Sequence, residues 1–229
     1  GVMHGYMKIP ELKKVCHAYG VSINEYLVAV YVWSVYTECM HGMPSERPVR
    51  VAVPVNLRPY FNSITTKNFF VMVSAEFHPT KEIYTFEEVL KSVSESLRSQ
   101  ISRENLEKLF SYNVSNEKLL AARIVPLFLK NLAMRYVYTT SALANTATVT
   151  NIGNISVSEE YRPYVEMFHA FLAMSKGQHL KGTICSYGDT LVFSFSYDLT
   201  DTSVQRGFFR KIAADGIAVE IETNGVNYE

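Results

Sequence analysis

Two windows of the sequence are apolar with almost no polar interruption, and both are predicted to lie in the core. Residues 51–55, V-A-V-P-V, predict a strand that is buried on both faces. Pro54 indicates that this strand is not fully central, because proline lacks the N–H that a ladder needs. Residues 23–40 are apolar on nearly every side, which predicts a buried helix that begins at the Ser22–Glu25 capping box.

Caps and apolar spacing predict further helices. Pro10 begins the first, and Gly20 follows its end. Thr85 and Glu88 form a second capping box, ahead of an amphipathic pattern over 86–101. The remaining helices are predicted over 116–136, kinked or restarted at Pro126, and over 200–214, ahead of Gly216, while 103–115 is left unassigned.

Runs of apolar and β-branched residues predict the other strands, which lie over 68–77, 147–150, 167–174, 183–187, 190–197 and 217–222. The pair on either side of Gly188-Asp189 is interpreted as a hairpin, and 68–77 is predicted to be well buried because it alternates little. Residues 2–8 receive no element. Strands interleaved with helices predict an α/β fold, a two-layer sandwich of a mixed β-sheet covered by helices.

Composition excludes several classes of protein. The 229 residues are 48% hydrophobic, so the chain can bury a core, and we expect residues 1–229 to form a single domain. Lysine plus arginine equals aspartate plus glutamate, 22 each, which argues against a nucleic-acid partner. Three separated cysteines favour the reducing cytoplasm, and the longest early uncharged run, 26–37, is too short for a transmembrane segment.

Polar groups follow two of the predicted strands, where sites are often built. Asn56 and Arg58 come directly after the buried strand at 51–55. Asn151 and Gly153 follow the strand at 147–150; Asn151 either binds a ligand or closes an Asx-turn, and both interpretations stay open. Asn56 and Arg58 are equally explained as a strand end that meets solvent.

Sequence motifs for nucleotide binding, serine hydrolysis and metal binding are absent. There is no G-x-G-x-x-G after a strand, no Walker loop and no G-x-S-x-G, and the six histidines lack metal-ligand spacing. His169, predicted on a strand, is either a general base or, as we favour, a hydrogen-bonded strand residue. Cys185 is interpreted as a small buried hydrophobe rather than a nucleophile.

Four of these stretches, taken in order, resemble a known family. They are a capped apolar helix (S-I-N-E-Y-L-V-A-V), a strand that ends in P-V-N-L-R-P, a later T-N-I-G, and F-S-F-S-Y-D-L before the last helix. Over nearly the whole chain this order resembles the C-terminal lobe of the CoA-dependent acyltransferase superfamily. Its members include alcohol O-acetyltransferases, wax ester synthases and the condensation domains of nonribosomal peptide synthetases. The resemblance implies one lobe of a chloramphenicol-acetyltransferase-like fold.

The resemblance also implies a reaction. In that family two α/β lobes face each other across a tunnel, which an acyl thioester on CoA or carrier-protein pantetheine enters opposite an alcohol or amine acceptor. The general base is the second histidine of H-H-x-x-x-D-G in the N-terminal lobe. This sequence contains no H-H pair. The resemblance therefore implies that the catalytic residue lies in a missing N-terminal lobe, that residues 1–229 alone are inactive, and that no cofactor or metal is permanently bound.

By position, Asn56 and Arg58 match the family's polar strand end, and Asn151 and Gly153 match its S-N-x-G turn, with Thr150 in place of the serine. The resemblance implies a tunnel-lining or structural role for them, with Arg58 a brace paired to a carboxylate. A non-catalytic relative that binds a carrier protein or partner lobe, and an enzyme that uses His169 or Cys185, stay open as alternatives. We expect the chain to be part of a longer protein, and an uncovered lobe face to favour self-association.

Overall fold

The computed structural model describes residues 1–118 and 125–224. Its strands are, in chain order, β1 (Val2–Lys8), β2 (Val49–Asn56), β3 (Phe70–Phe77), β4 (Ala147–Asn154), β5 (Leu180–Tyr187), β6 (Thr190–Tyr197) and β7 (Val219–Thr223). They form one sheet in the order β3-β2-β4-β5-β6-β1-β7. β2, β4 and β5 run parallel and the other neighbours run antiparallel, so the sheet is mixed, as predicted.

The described helices are α1 (Ile9–Tyr19), α2 (Ile23–Ser34), α3 (Arg58–Phe61), α4 (Phe86–Gln100), α5 (Arg103–Lys118), α6 (Leu127–Leu143) and α7 (Ser203–Ala214). Those that contact the strands, α1, α2, α4, α5 and α7, cover one face of the sheet. The apolar α2 contacts both α4 and α7 and continues as a π-helical turn over Val35–Cys39. The predicted α/β fold, a sheet with a helical layer, is confirmed.

Aromatic side chains form the core between α2, α7 and the sheet. The rings of Tyr31, Phe195 and Phe208 contact one another, and all three side chains are buried. Gly5 in β1 leaves room for the ring of Phe209, because a Cβ at that position would lie 2.1 Å from Phe209 Cε1. The absence of a side chain at residue 5 thus lets α7 pack closely on β1.

The other face of the sheet is polar and is crossed by an irregular stretch, residues 165–178, which we call the cover segment. Cys185 Sγ donates to the carbonyl of Phe168 at 3.2 Å, and Lys181 Nζ donates to the carbonyl of Ala173 at 2.8 Å and to Ser175 Oγ at 2.6 Å. The predicted strand over 167–174 is therefore wrong. Its apolar residues cover a sheet instead of joining one.

Several signals that depend on neighbouring residues are confirmed. Both predicted capping boxes are present, Ser22 with Glu25 and Thr85 with Glu88. Gly20 ends α1 in the left-handed region at φ 69°. The hairpin of β5 and β6 turns at the predicted Gly188-Asp189.

The boundaries of the middle helices differ from the prediction. Asn116 lies inside α5 and does not begin a helix, while α6 begins directly after Pro126, where a restart was predicted. The predicted helix over 116–136 is therefore divided between α5 and α6, and its residues 119–124 lie outside the described residues.

Two strands contradict the sequence analysis. Residues 2–8 received no element, yet β1 lies inside the sheet, between β6 and β7. β3 was predicted to be well buried, but it is an edge strand whose side chains alternate, and Phe70 and Met72 are exposed. β2 agrees with the prediction from Pro54, because it pairs with β4 only at Val51 and Ala52, before the proline.

Candidate functional site

The polar end of β2 folds back on itself. Arg58 donates from Nε to the carbonyl of Thr65 at 2.8 Å and from Nη2 to the carbonyl of Lys67 at 2.6 Å. Asn56 Oδ1 accepts from the Arg58 main-chain N–H at 3.1 Å and from its Nη1 at 3.2 Å. Arg58 therefore braces the loop after α3 through carbonyl oxygens, which replaces the carboxylate partner that was predicted.

The end of β4 contains the Asx-turn that was one of the two interpretations of Asn151. Its Oδ1 accepts from the N–H of Gly153 at 2.8 Å, and its Nδ2 donates to Asn24 Oδ1 in the first turn of α2 at 3.3 Å. Gly153 has a φ of 86°, and the β4–β5 register shifts at this point. Since the turn needs a left-handed residue there, glycine is the residue that fits.

These two polar strand ends lie at the same end of the sheet, because β2 and β4 are neighbours that run parallel. Their side chains satisfy one another or nearby main chain. An amide and a guanidinium cannot accept a substrate proton at neutral pH, so the arrangement shapes a rim and offers hydrogen-bond donors without offering a base.

His169 lies elsewhere, in the cover segment. Its Nε2 is 2.8 Å from Tyr6 Oη, which donates to Glu222 Oε2 at 2.5 Å. Because the single phenol proton goes to the carboxylate, His169 Nε2 must carry a proton and donate to Tyr6. The predicted strand environment of His169 is wrong, and its hydrogen-bonded state agrees with the interpretation that we favoured.

A second histidine completes this cluster. His4 Nδ1 is 2.7 Å from Ser194 Oγ, and its ring centroid is 4.6 Å from that of His169. Burial, followed by the nearby imidazole of His169, lowers the pKa of His4, which Glu222 partly opposes. Burial and then the hydrogen bond to Glu222 raise the pKa of Tyr6 to about 12, so the phenol keeps its proton at neutral pH.

Tyr6, His169 and Glu222 of this cluster line a cleft of about 520 Å³ between the cover segment and the strands β1 and β7. Three carboxylates face it, those of Glu166, Glu220 and Glu222. Lys8 also lines the cleft, but its Nζ is paired with Asp189 at 3.1 Å. The chemistry of this cleft is acidic, with a phenol and an imidazole that hold the cover segment against β1.

The sequence analysis missed Tyr6, His4 and Glu222. A period-2 pattern was present in both strands, since V-M-H-G-Y-M-K and V-E-I-E-T place their polar residues on alternate positions. That pattern predicts which residues share a face. It does not predict that residues 163 and 216 positions apart meet.

Cys185 is not activated for nucleophilic attack. Burial raises the pKa of this thiol, and its Sγ donates to a carbonyl, so it stays protonated at neutral pH. Within the described residues, no group of three or more histidine, cysteine, aspartate or glutamate side chains is arranged to hold a metal ion. No helix among them is long and apolar enough to cross a membrane.

Apolar side chains are exposed on every side of α6. Phe128 is 71% exposed, Leu132 68% and Tyr136 72%. At about 100° per residue the apolar positions of α6 surround the whole helix; they are Leu127, Phe128, Leu129, Leu132, Met134, Tyr136, Val137 and Tyr138. A helix of this kind is expected to be buried in a complete protein.

Comparison of this structure with solved structures finds the same fold in acyl-transferring and condensation proteins. One match is the wax ester synthase/diacylglycerol acyltransferase from Marinobacter aquaeolei VT8, with a TM-score of 0.51 and 16% identity, covering 94% of this chain and 49% of that chain. Another is the trichothecene 15-O-acetyltransferase TRI3 from Fusarium sporotrichioides, with a TM-score of 0.61 and 13% identity, covering 94% and 46%.

A third match is the nonribosomal peptide synthetase FmoA3, with a TM-score of 0.62 and 16% identity, covering 94% of this chain and 21% of that chain. No family model matches the sequence, and no curated protein sequence is significantly similar to it. The chain spans about half the length, or less, of the structures that it matches. It therefore has the chloramphenicol-acetyltransferase-like fold of acyltransferases and condensation domains, and its single sheet corresponds to part of those proteins.

Proposed function

We propose that this chain is the C-terminal lobe of a two-lobe acyltransferase. The complete protein moves an acyl group from a thioester, on CoA or a carrier-protein pantetheine arm, to an alcohol or amine. The observation that carries the proposal is the match of 94% of this chain to about half of two acyltransferase structures, one a wax ester synthase and one an O-acetyltransferase.

The residues of the described sites support a protein in which another lobe carries the general base. The sequence lacks an H-H pair, His169 donates its Nε2 proton to Tyr6, and Cys185 is held protonated. In this proposal the general base belongs to H-H-x-x-x-D-G in an N-terminal lobe. Asn56, Arg58, Asn151 and Gly153 contribute the rim of the tunnel and no catalytic step.

The exposed α6 supports a partner lobe that packs against this end of the molecule. Each fully buried leucine or phenylalanine side chain stabilises an association by about 1.5–3 kcal/mol relative to its exposed state. Eight exposed apolar side chains on one helix therefore leave a large free energy of burial for a covering lobe to recover. Phe70 and Met72 on β3 are exposed apolar side chains as well.

Acyl transfer by the complete protein tests the proposal. With acetyl-CoA and longer acyl-CoA donors, and simple alcohols and amines as acceptors, we expect release of free CoA thiol together with the ester or amide. Alanine in place of the second motif histidine is expected to lower turnover by at least about a hundredfold, the size of a general-base contribution. Residues 1–229 alone are expected to show no turnover.

Two results would overturn the proposal. Full turnover by the histidine variant would exclude the family mechanism, and turnover by residues 1–229 that disappears with His169→Ala would move the base into this chain. An N-terminal lobe that lacks the histidine would instead indicate the alternative function, a non-catalytic relative that binds a carrier protein or a partner.

A further inference from the structure

The sheet has two edge strands, and α4 closes one of them with polar side chains. Gln100 pairs with both main-chain groups of Ser74 in β3: its Oε1 accepts from the N–H at 3.1 Å, and its Nε2 donates to the carbonyl at 2.7 Å. Ser96 Oγ accepts from the N–H of Glu76 at 3.1 Å, and Ser92 Oγ donates to the Glu76 carbonyl at 3.3 Å. The outward hydrogen-bonding groups of Ser74 and Glu76 are therefore occupied, which prevents another strand from joining at this part of β3.

The opposite edge strand, β7, has no such closure. Its register partners are all in β1, from Met3–Thr223 to Met7–Val219. Among residues 1–118 and 125–224, no side chain or loop hydrogen-bonds to the outward main chain of Val219–Thr223. β7 is also exposed along most of its length. An open edge of this kind can accept an additional strand.

The two faces of β7 present opposite chemistry to such a strand. Glu220 and Glu222 face the acidic cleft, where Glu166 also lies, and no lysine or arginine among the described residues forms an ion pair with any of the three. Val219 and Ile221 face a groove of about 430 Å³ on the helix side.

That groove is apolar at its base and cationic at its rim. Met3 and Phe209 form the base beside Val219 and Ile221, while Arg206 and Arg210 of α7 lie one helical turn apart at the rim. Like charges at this spacing repel. Hydrogen bonds from Ser203, followed by the nearby Arg206, lower the pKa of Asp201, so this carboxylate is already engaged by Ser203. The groove thus favours apolar or acidic side chains.

We propose that the free edge of β7 binds an extended segment of a partner polypeptide in which basic residues alternate with apolar ones. Because side chains of a strand alternate between faces, the basic residues enter the acidic cleft and the apolar ones enter the groove beneath Arg206 and Arg210. The partner main chain completes the hydrogen bonds that β7 leaves open. This site is separate from the polar strand ends at Asn56 and Asn151, to which the proposed function assigns the rim of the tunnel.

Charge disfavours a second copy of this chain as the occupant. If β7 paired antiparallel with its own copy in a continuous sheet, Glu220 and Glu222 of both copies would share one face. Like charges directly opposite each other on a sheet are destabilising. A basic partner would instead pair its positive charges with Glu220 and Glu222, which would repel one another in a self-paired dimer.

The test uses a blocked five-residue peptide of alternating lysine and valine, added to the protein and followed by amide NMR. We expect shifts confined to β1, β7 and the two clefts, and slower hydrogen exchange at alternate amides of Val219–Thr223, by about tenfold at nine times Kd. Glu220→Lys is expected to weaken binding by about tenfold or more, whereas Glu95→Lys, a matched charge reversal on α4, leaves it unchanged.

Two peptide controls separate strand addition from simple charge attraction. Proline in place of the central lysine removes a main-chain donor and is expected to abolish the slowed exchange. Alternating glutamate and valine is expected to bind more weakly, because it brings no basic side chain to the acidic cleft. The proposal is overturned if the proline peptide binds equally, if the peptide shifts α6 and not β7, or if Glu220→Lys has no effect. Protection of β7 in a dimer without peptide would also overturn it, because that result would make a second copy the occupant.

Discussion

The two edge strands of the sheet, β3 and β7, differ in whether their outward main-chain groups are hydrogen-bonded. At β3 the main chain of Ser74 and Glu76 is closed by Gln100 and Ser96, but Phe70 and Met72 of the same strand are exposed apolar side chains. At β7 the main chain is open, and the neighbouring surface is charged. Burial of apolar area is non-directional, whereas strand pairing is directional and needs free N–H and C=O groups. The β3 end therefore suits a broad covering lobe, and the β7 end suits an extended segment.

The comparison predicts that the β7 edge depends on the core much more than the β3 edge does. Phe209→Ala removes the ring that packs beneath Gly5 of β1, and it is expected to lower the free energy of unfolding by about 3–5 kcal/mol. The matched change at the other edge, Phe70→Ala, removes a ring that is 48% exposed and is expected to cost less than about 1 kcal/mol. Urea denaturation measures both. Equal losses would contradict the comparison.

The position of α4, which closes β3, depends on one buried carboxylate. Arg98 Nε donates to Glu25 Oε1 at 2.6 Å, and the Glu25 side chain is 11% exposed. Arg98→Ala is expected to lower the free energy of unfolding at pH 7 by about 1.5–3 kcal/mol, because it leaves this carboxylate without its charged partner. Lys91→Ala, on the exposed face of α4, is the control and is expected to cost less than about 0.5 kcal/mol.

The same pair predicts a pH dependence. Burial alone would raise the pKa of Glu25, but hydrogen bonds from Arg98 and Ser22 outweigh it, so the pKa lies below the ordinary 4.5. A lowered carboxyl pKa adds stability above pH 4.5 that is lost as the pH falls through the folded-state value. Urea denaturation from pH 7 to 3 should therefore show a loss of stability below pH 4.5 that is smaller in Arg98→Ala. An unchanged slope in the variant would contradict the assignment.

Loss of the Gln100 side chain, which hydrogen-bonds to the outward main chain of β3, is expected to lower the free energy of unfolding moderately. Gln100→Ala leaves the N–H of Ser74 without its side-chain acceptor, while Ser96 Oγ still donates to the Ser74 carbonyl at 3.1 Å, and it is expected to cost about 1–2 kcal/mol. Hydrogen exchange of the Ser74 amide should accelerate, which is the specific signature of an opened edge. Ser99→Ala, one residue away and exposed, is the control. If the Ser74 amide exchanges at the same rate in Gln100→Ala, α4 does not close the edge.

Charge on α6 is expected to leave stability almost unchanged. Phe128→Glu replaces a side chain that is 71% exposed, so the free energy of unfolding should change by less than about 0.5 kcal/mol. Residues 1–229 alone should self-associate through this apolar surface, and the variant should weaken that association, as measured by sedimentation equilibrium. Tyr164→Glu, which changes an 86% exposed ring elsewhere, should not weaken it. A monodisperse monomer at high concentration would contradict the need for a covering lobe.

The sequence predicted features of the fold that depend on neighbouring residues. Ser22 with Glu25, Thr85 with Glu88, Gly20 and the Gly188-Asp189 turn all act within a few positions, and each is present. The buried β2 strand was predicted because V-A-V-P-V has no polar face. Such signals need no knowledge of the rest of the chain.

Burial by distant elements was predicted poorly. Residues 167–174 and 70–77 are both apolar runs, but one covers the polar face of the sheet and the other is an edge strand with exposed Phe70 and Met72. Composition alone cannot distinguish these environments from a central strand. β1 was missed because His4 and Gly5 interrupt its apolar pattern, and only the position of Phe209 explains the glycine.

The candidate sites show the same division. Four candidate residues were recognised because they directly follow buried strands: Asn56, Arg58, Asn151 and Gly153. The structure places them together at the end of the parallel strands β2 and β4. Tyr6, His169 and Glu222 come from three distant parts of the chain, and only the sheet order β6-β1-β7 brings them together. Contacts of this kind lie beyond any local pattern.

Sequencing the reading frame that precedes residue 1 is the decisive experiment, since a two-lobe acyltransferase needs a second lobe that carries the base. The account predicts an in-frame α/β lobe with H-H-x-x-x-D-G, whose apolar surface covers α6. A natural start codon directly before residue 2 would contradict a two-lobe acyltransferase. An upstream lobe without the second histidine would contradict the catalytic role and leave a binding protein of the same fold.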